Sequence, residues 1–233
     1  MDEPINVFEK QFHTDLILLC TLFLTIFVSV KNKKRVRILK YFPLYAVTFS
    51  IGLIFNRLCV NNHVRNRLFP FSTYLDYFLT LLELIIFSNF YYQLIKNQIV
   101  KRFIILSNLL FVLFFILMRV SDKNFFEKGI SESTQSIVYT LEAIILLILC
   151  LCYFYELFRK LAIVNLKNDP AFWVSTGLLF FMACTLPYSL LENYMDRYYP
   201  NSSHMLYSLF YLFYIMLFIM VIRAYLCNGE STK

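Results

Sequence analysis

An all-α, polytopic membrane protein built as a seven-transmembrane-helix bundle is the fold that the sequence predicts, and three observations predict it. Seven apolar runs fill nearly all of the 233-residue chain. Each is close to the roughly 20 residues that a helix needs to cross a hydrocarbon core of ~30 Å. The chain is 59% hydrophobic with a mean hydropathy of +0.62. Only 16% of it is charged, against about 25% in ordinary soluble domains.

The runs cover residues 14–30, 38–58, 73–95, 102–120, 135–158, 171–191 and 205–226. What remains is short connections and two brief tails, so residues 1–233 read as a single transmembrane domain with no room for a separate soluble module. Met1-Asp2-Glu3-Pro4 is acidic, whereas a secretory signal starts basic and ends at a small-residue cleavage site. The first run is therefore expected to stay as a helix.

Orientation follows from Lys and Arg, because short cytoplasmic connections keep positive charge. Lys31, Lys33, Lys34, Arg35, Arg37 and Lys40 follow the first run. Lys96, Lys101 and Arg102 follow the third, Arg159, Lys160 and Lys167 the fifth, and Arg223 and Lys233 close the chain. That is 14 basic residues on one side and eight on the other. Most acids, among them Asp2, Glu3, Glu9, Asp15, Asp122 and Glu127, fall on the poorer side. The N-terminus is expected outside and the C-terminus inside. The net charge of +7 then belongs to a surface facing anionic lipid headgroups, and no nucleic-acid partner is expected.

The second run contains Pro43 and Gly52 and the sixth Gly177 and Pro187, which are expected to kink those helices where neighbours satisfy the freed backbone groups. Asp169 ahead of Pro170 reads as the cap and first turn of the sixth helix. No Gly-x-x-x-Gly pair occurs, so large residues must carry the packing. Tyr91, Tyr92, Tyr153 and Tyr155 at one end, and Tyr194, Tyr198, Tyr199 and Tyr207 at the other, read as aromatic belts. The second run has Ser50-Ile51-Gly52-Leu53-Ile54-Phe55 and the sixth Ser175-Thr176-Gly177-Leu178-Leu179-Phe180. This faint echo fits parallel repeats in a three-plus-one-plus-three order.

Ionisable groups at membrane depth are functional candidates by default. Glu83 lies near the middle of the third run and Glu142 in the fifth, in the similar contexts Leu82-Glu83-Leu84-Ile85-Ile86 and Leu141-Glu142-Ala143-Ile144-Ile145. Facing one cavity, the two would suit proton-coupled transport or cation binding. Alternatively each fixes helix packing through Asn89, Asn108 or a tyrosine hydroxyl. Asp76, Arg57, Arg119 and Glu192 lie near outer helix ends and read as solvated or locally paired.

His13, His63 and His204 fall in separate outer connections without ligand spacing, and no metal or cofactor site is expected. Cys20, Cys59, Cys150, Cys152, Cys184 and Cys227 read as small apolar residues, with lipidation of Cys227 and glycosylation at Asn201-Ser202-Ser203 as minor readings. No nucleophilic, metal-assisted or phosphate-cradling pattern appears, so no enzyme is expected. The seventh run has no lysine for a retinal Schiff base.

Tyr153-Phe154-Tyr155-Glu156-Leu157 followed by Asn168-Asp169-Pro170-Ala171-Phe172-Trp173-Val174-Ser175-Thr176-Gly177-Leu178-Leu179-Phe180 resembles a group of small seven-helix membrane proteins of bacteroidete-type bacteria. The resemblance implies a multi-pass protein of the bacterial inner (plasma) membrane, at home beside signalling or defence components, and transfers no catalytic residue. Two functions follow as expectations. One is a membrane sensor or signalling accessory acting through a protein partner at the basic segment 31–40. The other is a small proton- or cation-coupled transporter or channel using its buried carboxylates. The lipid bilayer is the partner common to both.

Overall fold

The computed structural model describes the backbone of residues 5–32, 37–59, 62–121, 132–159, 166–198 and 200–227. Within these it describes the side chains of 14–32, 38–55, 75–117, 136–159, 166–191, 194, 198 and 208–227.

Among the described residues there are seven α-helices: α1 (Ile5–Asn32), α2 (Phe42–Cys59), α3 (Asn62–Leu94), α4 (Gln98–Ser121), α5 (Glu132–Arg159), α6 (Pro170–Tyr198) and α7 (Pro200–Leu226). Five contain a stretch long and apolar enough to cross a membrane: Thr14–Asn32, Gln98–Leu117, Ser136–Arg159, Pro170–Leu191 and Ser208–Leu226. The protein is thus all-helical and of the multi-pass membrane class. In α2 the described apolar stretch, Phe42–Phe55, is shorter. The described part of α3, which carries Asp76, Glu83, Ser88 and Asn89, is not among the five.

The second helix starts later than residue 38 because Arg37–Leu39 form a separate 3₁₀ turn. Pro43 is then the second residue of α2. There its missing N–H costs nothing, so it begins the helix and does not kink it. Pro187 does lie inside α6. The third helix begins well before residue 73, since its first turns are polar and carry no hydropathy signal.

Six helices close a ring in which α1 packs on α2, α2 on α3, α3 on α5, α5 on α6, α6 on α7 and α7 back on α1. α4 stays outside, against α3 and α5. Its apolar stretch is only 17% buried, whereas that of α6 is 44% buried. Each helix turns one stripe inward, including Leu18 and Leu22 from α1, Tyr45 from α2, Phe87 and Tyr91 from α3, Leu146 and Cys150 from α5, Leu178 from α6 and Phe218 from α7. Phe23, Phe27, Leu109, Leu113 and Ile219 are half or nearly half exposed. A soluble protein could not leave such residues out all round; against acyl chains they lose nothing.

Single glycines mark two close helix crossings. A methyl group on Gly177 would lie 2.8 Å from Met220 Cβ of α7, and one on Gly52 would lie 2.5 Å from Leu79 Cδ1 of α3. Both glycines belong to the echoed segments, and each lets the second helix of a triplet approach the third. Ser50 and Ser175 of those segments are both buried. The ring order is that of two triplets, α1–α3 and α5–α7, with α4 between them in sequence.

One end of the bundle is tied by polar contacts. Tyr225 Oη donates to the carbonyl of Leu39 at 2.6 Å. Glu156 accepts from the backbone N–H groups of Lys96 (3.2 Å) and Asn97 (3.1 Å), and Asn97 Oδ1 caps α4 by accepting from Ile99 N–H at 2.9 Å. Asp169 Oδ1 accepts from Ala171 N–H at 3.0 Å, the expected cap of α6, and Tyr153 Oη donates to Asp169 Oδ2 at 3.2 Å. Trp173 Nε1 donates to the carbonyl of Lys167 at 2.9 Å, with the Arg223 guanidinium 5.5 Å from the Trp173 ring. Lys40, Lys96, Lys101, Arg102, Arg159, Lys167 and Arg223 therefore collect at one end.

Candidate functional site

Glu83 projects from α3 into the ring and is 4% exposed; Glu142 projects from α5 and is 6% exposed. Tyr45 Oη of α2 donates to Glu83 Oε2 at 2.9 Å. Tyr214 Oη of α7 reaches the same oxygen at 3.5 Å. Glu83 Oε1 and Glu142 Oε1 are both buried without a hydrogen-bond partner. Glu142 lies in the field of Glu83, and each tyrosine hydroxyl lies in the field of both carboxyl groups. Four helices thus contribute to one polar cluster.

Aromatic packing holds the two tyrosines. The Tyr45 ring stacks on Phe218 at 5.9 Å and meets Phe87 edge-on at 5.9 Å. Tyr214 is wedged between Phe181 at 4.2 Å and Phe49 at 4.6 Å. Such rings leave little rotamer freedom, so the hydroxyls are aimed before any ligand arrives.

Polar groups recur above and below this cluster. Toward the basic end, Tyr91 Oη donates to Ser175 Oγ at 3.2 Å and lies 3.0 Å from Cys150 Sγ. The Tyr153–Asp169 contact continues that line to the end of the bundle. Toward the opposite end, Thr140 Oγ1 and Ser189 Oγ are 3.0 Å apart, and Ser136 Oγ donates to the carbonyl of Ser189. Between the carboxylates and Tyr91 lie Phe87 on α3, Leu146 on α5 and Leu178 on α6, all fully buried, with Phe42 edge-on to Phe87 at 5.1 Å.

Of the four residues singled out in the sequence, the structure brings Glu83 and Glu142 together and leaves Asn89 and Asn108 apart from them. Asn108 of α4 accepts from Ser88 Oγ at 3.2 Å, which ties α4 to the ring. Asn89 lines a separate cleft between α2 and α3. Tyr45 and Tyr214 were not legible as site residues. Position would have singled out Tyr214 alone, which lies mid-helix in α7, whereas Tyr45 sits in the first turn of α2.

Tyr91 and Tyr153 do not belong to a belt, being buried and hydrogen-bonded inside the bundle, whereas Tyr155, Tyr194 and Tyr198 are more than half exposed. Asp15 is also buried, although it reads from the sequence as part of an acidic exterior. Cys20 is exposed and Cys150 and Cys227 are buried, all as free thiols. The side chains of His13, His63, His204, Cys59, Arg57, Arg119, Glu192, Tyr207 and Asn201 to Ser203, like Tyr199, lie outside the described residues, as do Lys33 to Arg35 of the basic segment. Among the described residues no three His, Cys, Asp or Glu side chains converge as a metal site.

No protein-family model, curated protein or solved structure matches the chain.

Proposed function

We propose that the protein is a small proton- or cation-coupled transporter, with Glu83 and Glu142 as the groups that take up the coupling ion. One observation carries this reading: two carboxyl groups from different helices share a buried interior, and each keeps a buried oxygen without a partner. Two like charges in such a place are costly. A shared proton, or a cation between the free oxygens, removes the cost. A sensor that acts through a partner has no need of such a pair, so the pair favours transport over the signalling-accessory reading.

The same proposal includes its setting. All seven helices cross the bilayer, α2 and α3 being carried by neighbours that cover their polar groups. The basic end faces the cytoplasm, as the charge bias favours, which puts the N-terminus outside. The resemblance of segments 153–157 and 168–180 favours a bacterial plasma membrane.

The test is flux through purified protein in liposomes carrying a lumenal pH dye, under imposed proton, Na⁺ and K⁺ gradients. Wild-type protein is expected to move protons or one of the cations, and Glu83→Gln and Glu142→Gln are each expected to abolish that movement while the protein stays folded. Equal flux in wild type and both variants would overturn the proposal.

A further inference from the structure

A lipid-facing cleft of about 280 Å³ runs between α2 and α3, lined by Tyr41, Leu44, Phe78, Leu82, Ile85 and Asn89 among others. Asn89 apart, its walls offer acyl-chain surface. Phe78, Leu82, Ile85 and Asn89 form one stripe on α3, and Tyr92 continues that stripe one turn nearer the basic end. From Phe78 to Asn89 is about 16 Å at helical rise, which is half of a ~30 Å hydrocarbon core. The cleft is therefore about as long as one leaflet is thick, and Tyr41 and Asn89 mark its side nearer the basic end.

Two cations are placed by aromatic rings near it, one on the lining residue Tyr41 and one on Tyr92, a turn beyond the lining residue Asn89. Lys40 Nζ lies 5.5 Å from the centroid of the Tyr41 ring, and Lys101 Nζ lies 4.9 Å from that of Tyr92. The aromatic faces fix both ammonium groups at the basic end of the α2–α3 seam. Asn89 supplies a neutral donor and acceptor on the cleft wall, on the side of Glu83 nearer these cations.

We propose that this cleft is a binding site for one anionic phospholipid of the leaflet at the basic end, with an acyl chain between α2 and α3 and its phosphate between Lys40 and Lys101. Length, apolar lining and the two cations select that occupant together; a zwitterionic lipid would fill the slot but lose the cations. The site is separate from the Glu83–Glu142 cluster and does not depend on transport.

The test uses protein taken from liposomes of equal phosphatidylglycerol and phosphatidylcholine into mild detergent, with retained lipid counted by native mass spectrometry. Wild-type protein is expected to retain phosphatidylglycerol in preference to phosphatidylcholine. Lys40→Ala and Lys101→Ala are each expected to reduce that preference by roughly fivefold, the weight of one lysine near an anionic headgroup. Ile85→Trp is expected to remove retention of both lipids, and Leu44→Trp serves if the first variant does not fold. Lys167→Ala, which removes a cation of the same end away from the cleft, is expected to change nothing. No preference in the wild type, or an equal loss in Lys167→Ala, would overturn the proposal.

Discussion

Tyr45 and Tyr214 approach one and the same oxygen of Glu83, at 2.9 and 3.5 Å, from helices on either side of α1. The carboxyl group is thereby turned so that its other oxygen stays buried without a hydrogen-bond partner. The unequal distances make the two tyrosines unequal in energy. Tyr45→Phe is expected to lower stability in mild detergent by about 1 kcal/mol, within the range for hydrogen bonds inside membrane proteins, and Tyr214→Phe by less. In a Glu83→Gln background the loss from Tyr45→Phe should shrink, and a double-mutant cycle on thermal unfolding measures it.

Phe87 stands between the carboxylates and the Tyr91–Ser175 contact. If the coupling ion is a proton, this apolar layer keeps the two polar stretches apart. Phe87→Ser is expected to make liposomes leak protons under a potassium diffusion potential, and Glu83→Gln added to it should stop the leak. Leu146→Ser is expected to act likewise.

The two glycine crossings should tolerate a methyl group differently. At Gly177 the obstacle is Met220 Cβ, fixed to the α7 backbone; at Gly52 it is the tip of a leucine, which can turn away. Gly177→Ala is expected to cost about 1–3 kcal/mol, as overpacking does, and Gly52→Ala distinctly less. Thermal unfolding of the two variants side by side decides it.

Asp169 serves two partners at once, the first turn of α6 and Tyr153. Asp169→Ala is expected to cost about 1 kcal/mol or more from the lost cap. Asp169→Asn keeps a capping oxygen and should cost less, as unfolding midpoints will report.

Cys227 lies just beyond α7, where burial pushes its thiol up and the nearby Arg223 only partly offsets the rise. A raised thiol holds less thiolate at neutral pH, and the thiolate is the reactive form. Alkylation of folded protein at Cys227 is therefore expected to be slow near pH 7.5 and to accelerate as pH is raised. Peptide mapping after a timed pulse of a small maleimide follows it, with denatured protein as the fast reference.

How much of this was legible in the sequence depends on which contrast each feature makes with its surroundings. Helix α5 is visible because Ser136–Arg159 is one apolar run, and Glu83 and Glu142 are visible because a carboxylate interrupts such a run. The first turns of α3 are polar in a polar stretch and make no contrast. Tyr45 and Tyr214 are amphipathic, and tyrosine within a membrane run has an ordinary explanation at the interface, so nothing separates them from Tyr155 until the ring closes. Asn89 and Asn108 carry the same signal as the carboxylates, yet they face outward from the cluster. Which way a residue faces is set by neighbouring helices, and the hydropathy of its own helix does not contain it.

The position of α4 has a practical corollary. Triplets α1–α3 and α5–α7 are joined by α4, which takes the chain from the basic end back to the opposite end while contributing little to the interior. Its duty is directional rather than architectural. An unrelated apolar helix of similar length, given a replacement for the Asn108 tether, should serve as the connector, and the halves on either side should reassemble when expressed as separate polypeptides.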